Sequence, residues 1–450
     1  MVRIDAHGDG VRVLLRTSHG ITLLIIVLIG IGFSVMPILN TFRKPDSNKD
    51  YTRWWLVARA VDDGTPIYPP GEIVVRGFIY PPGIASVVYA PLSILGFTAM
   101  VAALCLINMA AHAFSIMACV HFATGRWRDQ HLVLYLVPLL VTLPYVWDTY
   151  FLGQLNLTLL AVMLLGFVML DRGRPGAAGG LFAFAASTKV FPVMVLGYLV
   201  WRRRWAAAAA TVVGIVVFML VAPMPMRGVE RHLQESREWL DRVVLSTSST
   251  SIAGIPGRAY RAGNQSLVSV VNRLTRPVEE TDPPPSNPDY FNVNLVDIGP
   301  RGSFLVFGTI AGVLCLAYIL AMPRAAARTP RIAGIEYAIL LILITIFSPK
   351  AGSYYFCWTM PGLAVITAAI LSAPAASRAR RLLVAGLIVT VAIMATALAQ
   401  AFDRHTPQTY GSTLWGAVAL LGMLLLLLWG SRHWSLAASP FPMGPAPLPA

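Results

Sequence analysis

The sequence predicts an all-α polytopic membrane protein, and three observations carry that prediction. Hydrophobic residues make up 56 % of the 450 positions and charged residues only 12 %, about half the charged share of a soluble domain. The mean hydropathy is +0.66. Apolar runs approaching the roughly 20 residues that a spanning helix needs recur along most of the chain, with short arginine clusters between them. This excludes a soluble globular domain, a disordered chain and a fibrous repeat. The net charge of +14, from 35 Lys+Arg against 21 Asp+Glu, does not signal a nucleic-acid partner, because the arginines flank apolar runs in the positive-inside pattern. Lysine occurs only at Lys44, Lys49, Lys189 and Lys350. Cys105, Cys119, Cys315 and Cys357 lie in or beside apolar stretches without metal-ligand spacing, so neither a disulfide nor a metal site is expected.

In order along the chain, Arg3, Arg12 and Arg16 precede the first apolar run, 21–39, and put residues 1–20 in the cytoplasm. No small-residue cleavage site follows, so the run is a retained span rather than a signal peptide. A polar loop, 40–82, comes next. Within it Trp54, Trp55, Ala58 and Val61 share one helical face, which reads as a helix lying in the membrane interface. Gly64, Pro66, Pro69, Pro70 and Gly71 then break the chain. Apolar stretches at 83–95, 97–122, 132–145, 155–170, 176–201 and 206–221 complete an N-terminal transmembrane region, 21–222.

The polar segment 223–300 is more than a linker. Residues 230–244 fit an amphipathic helix with Trp239 and Leu240 toward the membrane. The Asp-Pro-Pro-Pro-Ser-Asn run at 282–287 is an extended turn region. Five further stretches, 304–321, 332–347, 354–371, 382–399 and 414–429, lie within a C-terminal transmembrane region, 301–430, and bring the expected count to twelve spans. The Pro- and Ala-rich tail, 431–450, is expected to be cytoplasmic and disordered. Arg202–Arg204, Arg324, Arg328, Arg331, Arg378, Arg380, Arg381 and Arg432 orient everything after 204, with 223–300 outside. Before 204, plain alternation is the expected layout and leaves Arg126, Arg128, Arg172 and Arg174 outside. Splitting 176–201 at its Ser-Thr-Lys-Val-Phe-Pro break, with 83–95 re-entrant, would bring them inside.

Charges away from the loops are functional candidates in a membrane protein. Asp50, in Lys49-Asp-Tyr-Thr-Arg-Trp-Trp55, opens the interfacial helix, and read alone it is a helix cap. Lys189 interrupts an apolar segment, where it either faces a polar cavity or snorkels from a helix end. Arg53, Arg258, Arg261, Arg273 and Lys350 suit a phosphate, or equally a solvated loop or a lipid headgroup. Gln154, Asn156, Asn264 and Gln265 suit sugar hydroxyls, or the backbone at helix ends and turns. Trp54, Trp55, Trp239 and Tyr290 fit an aromatic belt first and a sugar platform second. Asp148 and Glu336 lie near span ends and read as interfacial or structural.

The order of these features resembles glycosyltransferase family 87, membrane transferases of the GT-C class that use polyprenyl-phosphate mannose. The resemblance rests on Asp50 early in the first loop, the Gly64-Thr-Pro-Ile-Tyr68 turn, and Phe78-Ile-Tyr-Pro-Pro82 opening the next stretch. It also rests on Gly153-Gln-Leu-Asn156, Lys189-Val-Phe-Pro192, Asn264-Gln-Ser-Leu267 followed by Arg273, and Ser348-Pro349 followed by Tyr354-Tyr355. Val190 stands where the family pattern has a proline, and the late Ser-Pro segment lacks the histidines of many relatives. The resemblance spans roughly residues 20 to 400.

It implies a GT-C fold of about twelve helices in a bacterial inner membrane, with a site on the external face. It implies sugar transfer, mannose first, from a polyprenyl phosphate to a glycolipid or glycan, with inversion. Asp50 would be the base. Lys189, Arg53, Arg258, Arg261, Arg273 and Lys350 would meet the donor phosphate. Tyr80, Gln154, Asn156, Asn264, Gln265, Tyr354 and Tyr355 would meet sugar or acceptor, and no cofactor or metal is required. Membrane lipids are the remaining partners. Two alternatives stand beside this: a transporter or lipid flippase, and a transferase of another lipid-linked sugar such as arabinofuranose. Polar residues gather in 40–82 and 223–300 rather than along the spans, and the halves share no repeated motif, which favours an enzyme over a transporter.

Overall fold

A computed structural model of the chain describes residues 17–68, 78–128, 130–245, 251–252, 255–256, 260–278, 293–396, 398 and 406–431. The long elements are helices. They are α1 (Ser18–Arg43), α2 (Lys49–Asp62), α3 (Phe97–Thr124), α4 (Val133–Val141), α5 (Leu143–Leu152), α6 (Asn156–Asp171), α7 (Pro175–Thr188), α8 (Val195–Trp201), α9 (Trp205–Val216), α10 (Val229–Trp239) and α11 (Leu267–Thr275). Four more follow: α12 (Gly299–Ala321), α13 (Pro330–Phe347), α14 (Met360–Ser372), α15 (Arg378–Ala395), and then α16 (Ser412–Ser431) closes the described chain. The described extended pairing is limited to Ser251–Ile252 against Ile255–Pro256.

Among the described residues, seven helices are long and apolar enough to cross a bilayer, or eight when α4 and α5, bent by 52°, form one span. The bend falls where Pro138 and Pro144 remove backbone donors around Thr142. The expected count of twelve is not confirmed: α6 has only 16 residues, α15 carries three arginines in its 18, and two other stretches are broken. The stretch 176–201 is interrupted at Lys189, which is extended, and the chain resumes as a tight turn at Phe191–Met194 leading into α8. The stretch 83–95 is a short, broken helical run.

The ends of these helices fix their directions. Glu336, near the start of α13, pairs with Arg202, just past α8, and with Arg328. Arg328 also pairs with Asp171 at the end of α6. Phe122, near the end of α3, packs edge-on against Tyr337. The clusters at 126–128, 172–174, 202–204 and 324–331 thus lie together at one end of the bundle. This corrects plain alternation for the first half: Arg126, Arg128, Arg172 and Arg174 join the other arginines, and α7 and α8 form an in-and-out pair that meets at Lys189. Small residues let α7 approach α9 in parallel. A Cβ on Gly179 would lie 2.8 Å from the Ala207 carbonyl, and one on Gly214 2.5 Å from the Ala183 Cβ.

α13 and α14 are buried along nearly their whole length, while few residues of α1, α9 and α12 are buried. The apolar outer surface of the latter faces lipid. On the side away from the arginines, α10 lies across the first loop. Arg227 and Glu235 form a buried ion pair. Arg227 also donates to the carbonyls of Ala60 (3.0 Å) and Thr65 (2.8 Å), and Glu235 accepts from the Ile67 N–H at 3.1 Å. Trp239 is buried and donates to the Ile79 carbonyl at 3.1 Å, while Leu240 is exposed. The expected amphipathic helix is present, but its tryptophan faces protein rather than lipid.

Candidate active site

The first residue of α2, Lys49, has φ 52°, a conformation uncommon outside glycine. The helix cap is Asn48, not Asp50. Asp50 sits in the first turn, where the helix dipole favours a carboxylate, and its side chain turns away from the backbone. It takes Arg53 on one oxygen, Oδ1, and the Gln154 amide nitrogen on the other, Oδ2. α2 presents Tyr51, Trp54, Ala58 and Val61 to the core. The tryptophan assigned to an aromatic belt is thus buried, and its indole N–H donates to the Gly153 carbonyl at 2.7 Å.

Gly153 has φ 76°, and a Cβ there would meet the Tyr51 ring at 2.9 Å. Only glycine makes this turn without strain. The turn aims Gln154 and Asn156 inward. It is held from behind by Asn108 on the Gln154 carbonyl (3.0 Å) and by the Trp358 indole on the Asn156 carbonyl (2.9 Å). Asn108 and Trp358 escaped the sequence reading. They lie within apolar runs and carry no local pattern; only the fold brings them to the turn.

Lys189 comes to the same point from the break between α7 and α8. It is 4 % exposed. Its ammonium donates to Gln154 Oε1 at 2.8 Å and Asn156 Oδ1 at 2.5 Å. It lies 5.3, 5.2 and 4.7 Å from the ring centres of Tyr80, Tyr354 and Tyr355, an aromatic nest of the kind that favours a desolvated cation. Tyr80 donates to Gln154 Oε1 at 3.2 Å. Burial, with the neighbouring tyrosines and Asp50, holds the Tyr80 phenol well above its usual range, so it stays a donor at neutral pH. Among the described residues the buried Asn156 amide nitrogen has no hydrogen-bond partner, and a ligand oxygen would satisfy such a group. Snorkelling does not describe Lys189: its head is the buried part.

The structure therefore brings Asp50, Arg53, Tyr80, Gln154, Asn156, Lys189, Tyr354 and Tyr355 to one place. Asn264, Gln265 and Arg273 form a separate hub. Arg273 is buried and donates to the carbonyls of Tyr260, Arg261, Asn264, Gln408 and Thr409 and to the Ser269 hydroxyl. Asn264 bonds the Pro349 carbonyl at 3.1 Å and the Ala351 N–H at 2.9 Å, and Gln265 bonds the carbonyls of Ala262 and Gln408. Most of these bonds go to backbone, and those of Asn264 pin the 348–351 turn, which contains Lys350 and leads to Tyr354. Arg261 lies at the edge of this hub. Arg258 and Tyr290 fall outside the described residues. Asp148 accepts from Ser353, the residue before Tyr354.

Asp50, Lys189 and the 348–351 turn lie at the far end of α6 and α13 from Glu336 and Asp171. The 16 residues of α6 put about 24 Å between the two ends. Asp50 and Lys189, joined through one amide, can take a proton and hold an anion at the same place.

Comparison with known proteins agrees in part. A model of glycosyltransferase family 87 matches residues 78–349, which contain Tyr80, Gln154, Asn156 and Lys189 but not Asp50 or the tyrosine pair. No curated protein matches the chain. A distant likeness is found to the solved structure of ArnT from Cupriavidus metallidurans bound to undecaprenyl phosphate, at 14 % identity and a TM-score of 0.40, over 91 % of this chain and 77 % of that one. The family match covers more than half of the chain, and this multi-pass membrane protein accordingly belongs to glycosyltransferase family 87.

Proposed function

We propose that the protein transfers a sugar, mannose in the first instance, from a polyprenyl phosphate to a glycolipid or glycan at the external membrane face, with Asp50 as general base. The observation that carries this is the Asp50–Gln154–Lys189 chain: a half-buried carboxylate and a buried ammonium share one amide inside a ring of tyrosines. Lys189 and Arg53 are the cations for the donor phosphate, and the unpartnered Asn156 amide is a donor for a ligand oxygen. A single carboxylate between two cations suits direct displacement with inversion, since no second carboxylate is needed as nucleophile. The site lies opposite the arginine clusters, which supports the external face. The cations already present supply the charge that a metal would otherwise supply, so transfer should persist in a chelator.

The test is transfer from radiolabelled polyprenyl-phosphate mannose, arabinofuranose and glucose by purified wild type and Asp50→Asn. Loss of a general base costs about a hundredfold or more. The expected result is turnover of one donor by wild type, and lost turnover with retained donor binding in Asp50→Asn. Near-normal transfer by Asp50→Asn removes Asp50 as the base. Movement of lipid without release of polyprenyl phosphate would instead favour a flippase.

A further inference from the structure

Gln154 is 2 % exposed and every side-chain group it has is engaged. Its oxygen receives the Lys189 ammonium at 2.8 Å and the Tyr80 phenol at 3.2 Å; its nitrogen donates to Asp50 Oδ2. The orientation admits no alternative. An ammonium has no acceptor to offer an NH2 group, and an ionised carboxylate has no proton to offer an amide oxygen. The cation polarises the amide and strengthens its bond to the carboxylate.

The two oxygens of Asp50 differ as a result. Oδ2 is tied to a buried, fixed group. Oδ1 is tied to Arg53, whose side chain is 43 % exposed against 13 % for Asp50 and sits on the same helix, one turn on. Arg53 can leave; Gln154 cannot leave without breaking its bonds to Lys189 and Tyr80. We propose that Gln154 is a positioning residue rather than a sugar ligand: its amide, locked by Lys189 and Tyr80, fixes Asp50 through Oδ2 and leaves Oδ1 as the oxygen that takes the acceptor proton. This rests on the reading of Asp50 as the base.

In the step so described, Arg53 turns from Oδ1 toward the donor phosphate. The acceptor hydroxyl gives its proton to Oδ1 while its oxygen forms a bond to the anomeric carbon. The bond from that carbon to the phosphate oxygen breaks, and its electron pair leaves with polyprenyl phosphate. One negative charge passes from carboxylate to phosphate, and the proton is later lost to water. The groups facing Asp50 are Arg53 and Tyr51 on its own helix, Tyr80 and Tyr89 from the segment after the loop, Lys189 from the α7–α8 break, and Tyr354 and Tyr355 before α14. Lys350 stands behind Lys189. Burial pushes the Lys189 ammonium down to about 7, so loss of its proton falls on the alkaline side of the profile, and the acid limb is the side on which the facing groups keep their protons.

The experiment is the pH dependence of kcat, with donor KM, for purified wild type, Gln154→Glu and Gln154→Met. A hydrogen bond to an ionised group is worth about one to two pKa units. Gln154→Met removes it, and the acid limb should move up by about one unit, with kcat at higher pH down about tenfold from lost positioning. Gln154→Glu keeps the size but faces Asp50 with a like charge, so its limb should move further in the same direction. Donor KM should stay within about threefold in Gln154→Met, because the phosphate contacts remain. A sugar ligand would give the opposite split: a raised donor KM and a limb that does not move. If Gln154→Glu fails to fold, Gln154→Met alone decides. An active wild type whose foldable variants keep the wild-type limb overturns the proposal alone. A wild type inactive on every polyprenyl-phosphate sugar, or a normally active Asp50→Asn, overturns the reading of the site and the proposal with it.

Discussion

Lys189 has been taken out of water and given two amide oxygens and three aromatic faces in return. A buried ammonium is costly to keep, so replacing it should not harm the fold. Lys189→Met is expected to leave thermal stability unchanged or raised, while donor KM rises about tenfold or more through loss of a charge-assisted contact. A donor titration beside a melting curve reads both. A fall in stability with unchanged donor use would make the lysine structural. Gly153 permits a second residue-scale expectation. Gly153→Ala forces a Cβ into the Tyr51 ring at a left-handed position, which costs about 1–2 kcal/mol before any repacking. Because the turn carries Gln154, kcat should fall with stability. The glutamine, asparagine and lysine of this site were legible as a set because polar residues are rare in apolar runs. Arg273 and Asn264 looked equally promising by type. Their role depends on five carbonyls from two distant turns converging on one guanidinium, and residue type does not carry that information.

At the scale of elements, α10 works as a strap over the first loop. Arg227 and Glu235 are both almost fully buried, and each also holds backbone of the 60–67 stretch. Glu235→Ala leaves an uncompensated buried guanidinium, a change that costs about 3–5 kcal/mol. We expect a lower melting temperature and earlier proteolysis between residues 60 and 80 than in wild type. Transfer should fall too, since Trp239 and Tyr68 hold the carbonyls of Ile79 and Tyr80, and Tyr80 forms one wall of the site. Equal proteolysis in variant and wild type would show that the strap is dispensable. The helix itself was readable from its alternation of charged and apolar residues. Its docking face was not, because Trp239 suits a lipid interface and a protein core equally.

Across the whole molecule, charge is sorted by end. Cysteines placed at Arg126, Arg174 and Arg378 in a background lacking the native cysteines should label from one side, and a cysteine at Ser47 from the other. Labelling of Arg126→Cys or Arg174→Cys with Ser47→Cys would restore plain alternation and undo the in-and-out pair at Lys189. Membrane class was legible because apolar length and the low charged share report it directly. The first half was legible only as two alternatives, plain alternation and a split of 176–201 at its Ser-Thr-Lys-Val-Phe-Pro break, and the break at Lys189 takes the second.

The aromatic nest is also assembled from parts made at different times. Asp50, Tyr80, Gln154 and Lys189 leave the ribosome well before Tyr354 and Tyr355. Until Tyr354 and Tyr355 are synthesised, a membrane-inserted chain carries an ammonium that lacks two of its three covering rings. A chain halted before residue 350 should for that reason stay bound to the insertion machinery and fall to membrane proteases, whereas one halted after α14 should already be quiet.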